Sequence, residues 1–148
     1  MQTFLPYARF ALSARVLDRQ RLGKQRVECL QILRTLCGES DGWRNHPAVR
    51  MWAGYEAWLG HYAFRIICEW TDRGYRDTCW AKILDLMPTG VLPLLSSAPR
   101  PPWLGNRRFH ESHRSNLLRK FPEHYRRFWP RLRDDLPYVW PVPAEKED

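Results

Sequence analysis

The sequence has no long apolar run: no stretch approaches the roughly 18 apolar residues that a membrane-spanning helix requires. Its N-terminus, MQTFLPYARFALSARVL, lacks the apolar core and small-residue cleavage site of a secretory signal. Cysteine is scarce. Cys29, Cys37, Cys68 and Cys79 stand 8, 31 and 11 positions apart with no C-x-x-C pair, which excludes a zinc ribbon or a dithiol redox motif. Their apolar neighbours suit small buried thiols, so a reduced, cytoplasmic protein is expected. A phosphate-cradling glycine loop and a G-x-S-x-G elbow are both missing, leaving P-loop and serine-hydrolase chemistry unsupported. His110, Glu111 and His113 have i, i+3 histidines rather than the i, i+4 pair of a zinc-protease helix. No metal and no other cofactor is expected.

Acid is the remaining shortage. Against 24 Lys and Arg there are 16 Asp and Glu, a net charge of +8 and a pI of about 9.7. Aromatics reach 14%, with eight Trp. A small, basic, Trp-rich chain points to a polyanionic partner, nucleic acid first and an acidic membrane surface second. The charge is segregated. Residues 1–36 hold seven cations against Asp18 and Glu28, and residues 100–133 hold ten against Glu111 and Glu123. Residues 37–99 are near balance and the last fifteen are acidic. Two basic ends around a neutral middle predict a groove for a phosphate backbone.

The 148 residues are about one domain's worth of chain, and one all-α domain over 1–148 is expected, acting as a monomer without membrane contact. Ser13 reads as an N-cap of a helix from Arg15 to Leu36 or Cys37, ended by Gly38. Asn45 or His46 caps a second long helix, with Pro47 in its first turn, running to about Arg73 before Gly74. Shorter helices are expected over Asp77–Leu86, Glu111–Lys120 and Pro122–Arg131. Five prolines (Pro88, Pro93, Pro99, Pro101, Pro102) make a loop of about 87–106. An acidic, extended tail is expected from about 134.

Asp18, Arg21, Gln25 and Glu28 recur at steps of three and four, so they share one helix face. A carboxylate in a basic groove stabilises an oxocarbenium ion or moves a proton in glycosidic bond cleavage. His113 and Arg114 begin a basic helix suited to phosphate contact. Trp52, Tyr55, Trp58, Tyr62 and Trp70 fall at helical spacing and read as core. Trp103, Tyr125, Trp129 and Trp140, among Arg and Pro, read as stacking surfaces. One nucleophile needs no motif: the chain's α-amino group, which ionises at lower pH than lysine and can form a Schiff base at a sugar carbon.

The run Gln20-Arg21-Leu22-Gly23-Lys24-Gln25-Arg26-Val27-Glu28 resembles the first-helix segment of the phage pyrimidine-dimer DNA glycosylases of the endonuclease V type. In that family a Leu precedes the catalytic Glu by six positions. The likeness continues at Arg73-Gly74-Tyr75 and at Ser112-His113-Arg114 through Leu117, Pro122 and Tyr125. The MQTFLPY start and the HPAVRMW-GY segment resemble bacterial members of unclear substrate. The resemblance implies an all-α fold, a flipped nucleotide in double-stranded DNA, Glu28 as catalytic acid, and imine formation by the N-terminal amine followed by β-elimination. Two positions depart from it. Gln2 follows Met1, so Met1 is expected to stay and its amine to serve; and Val27 stands where the family has Arg. A water helped by Glu28 or Asp18 is the alternative nucleophile. Arg21, Lys24, Gln25, Arg26, His113, Arg114, Arg119 and Lys120 are the expected DNA contacts, with Gln25 also placed to orient Glu28. The expected activity is excision of a damaged or bulky modified pyrimidine, with AP-lyase activity left open. Antiphage removal of hypermodified (for example glucosylated) bases is the alternative enzyme reading. A non-enzymatic nucleic-acid-binding module and a basic protein-interaction domain are the alternatives of other classes.

Overall fold

The computed structural model describes residues 1–87 and 98–142. Among them are seven helices and no strand: α1 (Phe10–Val16), α2 (Arg19–Leu36), α3 (Pro47–Arg50), α4 (Glu56–Asp72), α5 (Cys79–Leu86), α6 (Arg107–Lys120) and α7 (Pro122–Tyr125). The fold class is all-α, as the periodicity implied. Residues 88–97 of the Pro-rich segment and the tail from 143 lie outside the described residues.

The first long helix is two helices. Leu17 and Asp18 turn the backbone extended, with ψ of 136° and 159°. Asp18, not Ser13, is the N-cap of α2, accepting the Arg21 amide. Ser13 is buried inside α1, where its hydroxyl bonds the Tyr7 backbone. The carbonyls left over at the end of α1 need partners. Arg73 donates to those of Arg15 and Leu17 at 3.1 and 2.9 Å, and a His124 ring nitrogen lies 2.8 Å from that of Val16. The second long helix is also divided. His46 caps α3 through Nδ1, which accepts the Ala48 amide at 3.0 Å. The chain then turns at Gly54, whose φ of 85° is the left-handed conformation that glycine adopts freely, before α4 begins. Asn106 caps α6, starting it four residues earlier than expected, and α7 stops at Tyr125 rather than Arg131. There Arg126 donates to the Leu132 carbonyl at 2.7 Å and folds the following segment back.

α2 packs against α4 and α5, and α1 against α4. The core holds Leu5, Leu17, Leu22, Ile32, Leu33, Trp52, Leu59, Tyr62, Ile66, Phe109 and Tyr125. Trp103 and Trp129 are buried too, so of the four aromatics expected to offer stacking surfaces only Trp140 is placed to do so. Cys29 and Cys79 are buried, but Cys37 is exposed at the C-cap where α2 ends, and Cys68 is half-exposed, off the buried face of α4.

Gly23 shows how closely α2 is covered. A Cβ there meets the Trp70 ring at 2.9 Å. That indole cannot simply swing away, since it donates to the Arg76 carbonyl and carries the Arg26 guanidinium 4.3 Å from its ring centroid. Alanine gains about 1 kcal/mol of helix propensity, but overpacking costs about 1–3 kcal/mol. Gly23→Ala is therefore expected to lower the thermal midpoint followed by circular dichroism. An unchanged or raised midpoint contradicts this packing.

Candidate active site

Chain termini usually fray; this one is threaded through the fold. Thr3 and Leu5 have no exposed surface. An extended segment outside any helix leaves its backbone polar groups unpaired, and buried ones must find partners. Here side chains supply them. The Gln2 amide donates to Glu28 Oε2 at 3.0 Å, and the Gln2 carbonyl accepts from Gln25 Nε2 at 3.0 Å. Gln25 Oε1 accepts the Phe4 amide at 2.9 Å. The Tyr62 hydroxyl lies 2.6 Å from the Phe4 carbonyl. His113 Nδ1 accepts the Leu5 amide at 2.9 Å, and His110 Nδ1 lies 2.8 Å from the Leu5 carbonyl. Arg114 donates to the Pro6 carbonyl at 2.7 Å. The first six residues are thus held on α2, α4 and α6 at once.

The segment ends at a cleft of about 340 Å³ lined by Met1, Gln2 and Glu28, with Arg21, Lys24 and Lys120 around them and Tyr138 and Trp140 as an aromatic wall. Its size is within the range of small-ligand sites. Glu28 is 5% exposed. One of its oxygens takes the Gln2 amide and the other faces Lys24 Nζ at 3.6 Å. The cations come from both basic segments, Arg21 and Lys24 from α2 and Lys120 from the end of α6. The tail supplies its two aromatics because α6 holds it: Ser115 and Ser112 hydroxyls accept the Leu136 and Val139 amides.

Several expected site residues stand elsewhere. Gln25 is 1% exposed and spends its amide on the N-terminal segment, so it does not face a phosphate. Arg26 is held by Asp77 at 2.7 Å under the Trp70 ring. His113 is buried and accepts a backbone amide, which rules out a charged phosphate contact. Arg114 braces Pro6, and Arg119 binds the Asp134 carbonyl and Asn116, which ties down the tail. Asp18 borders a neighbouring cavity and not the Glu28 cleft. Burial pushes its carboxyl up, but hydrogen bonds from Tyr125 and Arg21 and the Arg21 charge outweigh this and hold it below the usual carboxylate range.

Gln2 and Tyr138 as cleft walls carried no sequence signal beyond composition, whereas Trp140 was one of the expected stacking aromatics. His46 was legible only as a cap. Its ring also lies between Trp43 and Trp140, at 5.8 and 5.7 Å between centroids. Burial lowers its pKa, as does the charge of the terminal amine, with Glu28 opposing.

The two histidines on Leu5 give a pH prediction. Burial, with the His110 charge, lowers His113 to about 3. His110 is also lowered, by burial and then, against its bond to the Leu5 carbonyl, by the Arg114 and Arg100 charges. Unfolded histidine titrates near 6.5. Between those values the unfolded chain binds protons that the folded one refuses, so stability is full above about pH 6.5 and falls as the pH drops towards 3. The urea midpoint is expected to fall across this window, and less steeply in His113→Gln, which keeps an acceptor but does not titrate. Equal slopes contradict the assignment.

The profile of the pyrimidine dimer DNA glycosylase family matches residues 1–82, more than half of the 148. No curated protein and no solved structure matches. The matched part contains the threaded segment and Glu28. The chain belongs to the pyrimidine dimer DNA glycosylase family.

Proposed function

We propose that this family member excises a damaged or bulky modified pyrimidine from duplex DNA at the Glu28 cleft, with the Met1 amine as nucleophile. DNA as the substrate and glycosylase chemistry follow from the family. The observation that carries the finer reading is the first six residues, pinned by side chains from three helices so that the terminus meets a buried carboxylate. Burial of Phe4 and Leu5 in the core anchors the segment, and the bonds at Gln2 carry its order on to the terminus. A reaction gains much from a nucleophile held in place.

An extruded nucleotide presents its anomeric carbon in the cleft. The neutral Met1 amine attacks that carbon, and the bond from sugar to base breaks with its electron pair going to the base. The amine gives up its protons as the imine forms. Glu28, which lines the same cleft, relays one of them to the leaving base and the other to the sugar ring oxygen as the ring opens. Water then hydrolyses the imine to leave an abasic site, or loss of a C2′ proton expels the 3′ phosphate and cuts the strand. Arg21, Lys24 and Lys120 hold the flanking phosphates, and Tyr138 and Trp140 flank the base. Gln25 positions the nucleophile, and Asp18 starts the helix that carries Glu28.

The test is base release from three DNAs: ultraviolet-irradiated (scored after photoreversal, because a dimer keeps its excised base bonded to the neighbouring pyrimidine), uracil-containing, and glucosylated phage DNA. Free base from irradiated DNA supports a repair role, and from glucosylated DNA a defence role. Release from none of the three, by protein that binds duplex, contradicts the proposal and favours a binding module.

A further inference from the structure

Trp43, in the loop between α2 and α3, is 60% exposed, more than any other large apolar side chain among the described residues. It is also the one non-glycine residue among them with a positive φ, 62°. A bulky side chain in this conformation is strained, at a cost of about 1–3 kcal/mol. Among the aromatic rings of the described residues the indole meets only that of His46, in a T-shaped contact.

The loop is nevertheless built to hold it. Thr35 Oγ1, on α2, donates to the Gly42 carbonyl at 2.8 Å, and Ser40 Oγ accepts the Gly42 amide at 3.1 Å. The His46 amide donates to the Trp43 carbonyl at 2.9 Å. The backbone that carries the indole is therefore held in one place. That place is linked to the cleft: Trp43 meets His46 edge-on, His46 meets Trp140 edge-on, and Trp140 lines the Glu28 cleft. The next residue, Arg44, is exposed and suits an adjacent phosphate.

We propose that Trp43 is a wedge that enters the DNA base stack and fills the space left by the extruded nucleotide. The proposal rests on the base-extrusion reading of the Glu28 cleft. Extruding a base breaks two stacking contacts and leaves an apolar gap, and proteins that kink DNA fill such gaps with apolar side chains. An indole offers a stacking face to either neighbour without regard to sequence, and a strained, braced loop presents it already ordered.

The probe is a duplex with a tetrahydrofuran abasic analogue flanked by 2-aminopurine, beside the intact duplex. The wild-type protein is expected to bind the gapped duplex more tightly and to change the 2-aminopurine emission. Trp43→Ala is expected to lose about tenfold in that preference along with the emission change. Its salt dependence on intact duplex should stay as in the wild type, because no phosphate contact is removed, and Trp43→Phe should retain most of the preference. Trp43 is at the surface, so the circular dichroism of the variants should be unchanged. If Trp43→Ala keeps both the preference and the emission change, or if the wild type shows neither, the wedge is overturned. Failure of the glycosylase reading appears separately, as absence of base release from the three DNAs while gap preference still depends on Trp43.

Discussion

Glu28→Gln is expected to lower single-turnover base release by about 10²–10⁴-fold, the usual contribution of a positioned acid or base, while DNA binding is kept or slightly tightened. Glutamine is nearly the same shape, and its amide oxygen can still accept the Gln2 amide at the 3.0 Å that Glu28 Oε2 does. The N-terminal segment thus stays threaded. What goes is the capacity to take a proton and the one carboxylate of a cleft otherwise edged by Arg21, Lys24 and Lys120. Removing an anion from such a cleft favours the phosphate backbone, so affinity moves the opposite way to rate. The salt slope should stay as it was, because no cation is lost. A pure binding module predicts the affinity change alone. Base release at the wild-type rate would sink the role assigned to Glu28.

The second large effect concerns the terminus. Adding two residues ahead of Met1, or acetylating its amine, is expected to abolish imine chemistry while leaving the helical fold and the affinity for intact duplex in place. The cleft is about 340 Å³ and Met1 lines it, so an added dipeptide occupies the space meant for the nucleotide as well as removing the nucleophile. The threading itself survives, because the bonds that hold it start at the Gln2 amide. Rapid quench on a DNA that the wild type processes checks this, with thermal melting as the control for folding. Full activity in the blocked protein points instead to a water activated by Glu28.

Much of the frame was legible because it depends on near neighbours. The apolar stripe of α2, the cap and proline at His46 and Pro47, and the glycines at 38 and 74 act within one or two turns of helix. Glu28 stood out for a related reason, as a lone acid among cations on a polar face. The break at Leu17 and Asp18 did not stand out. It contains neither proline nor glycine, and what holds it open arrives from Arg73 and Tyr125, 56 and 107 residues away.

The same distance hid the roles of Gln25, His110 and His113. A polar residue on a helix face looks like a surface residue unless its partner is known. The partners here are backbone groups of an extended segment that no periodicity describes, 108 residues from His113 in the case of Leu5. Of the cations expected to form a basic groove, the structure brings Arg21, Lys24 and Lys120 together at the cleft. Arg26, Arg114, Arg119 and Arg126 each bind a carboxylate or a carbonyl of their own chain, so a cation count overstates the charge offered to DNA. Trp43 was invisible in a different way, since an exposed, strained side chain is a property of its loop.

Borohydride trapping tests the central claim most directly. Reduction fixes an imine as a stable amine, so protein mixed with a processed DNA and borohydride should become covalently linked to it. Mass spectrometry of the digested adduct should place the link on the α-amine of the N-terminal peptide, and Glu28→Gln should yield far less of it. Base release with no trapped adduct, or an adduct on Lys24 or another lysine, contradicts the account of a terminus threaded through the fold to serve as the nucleophile.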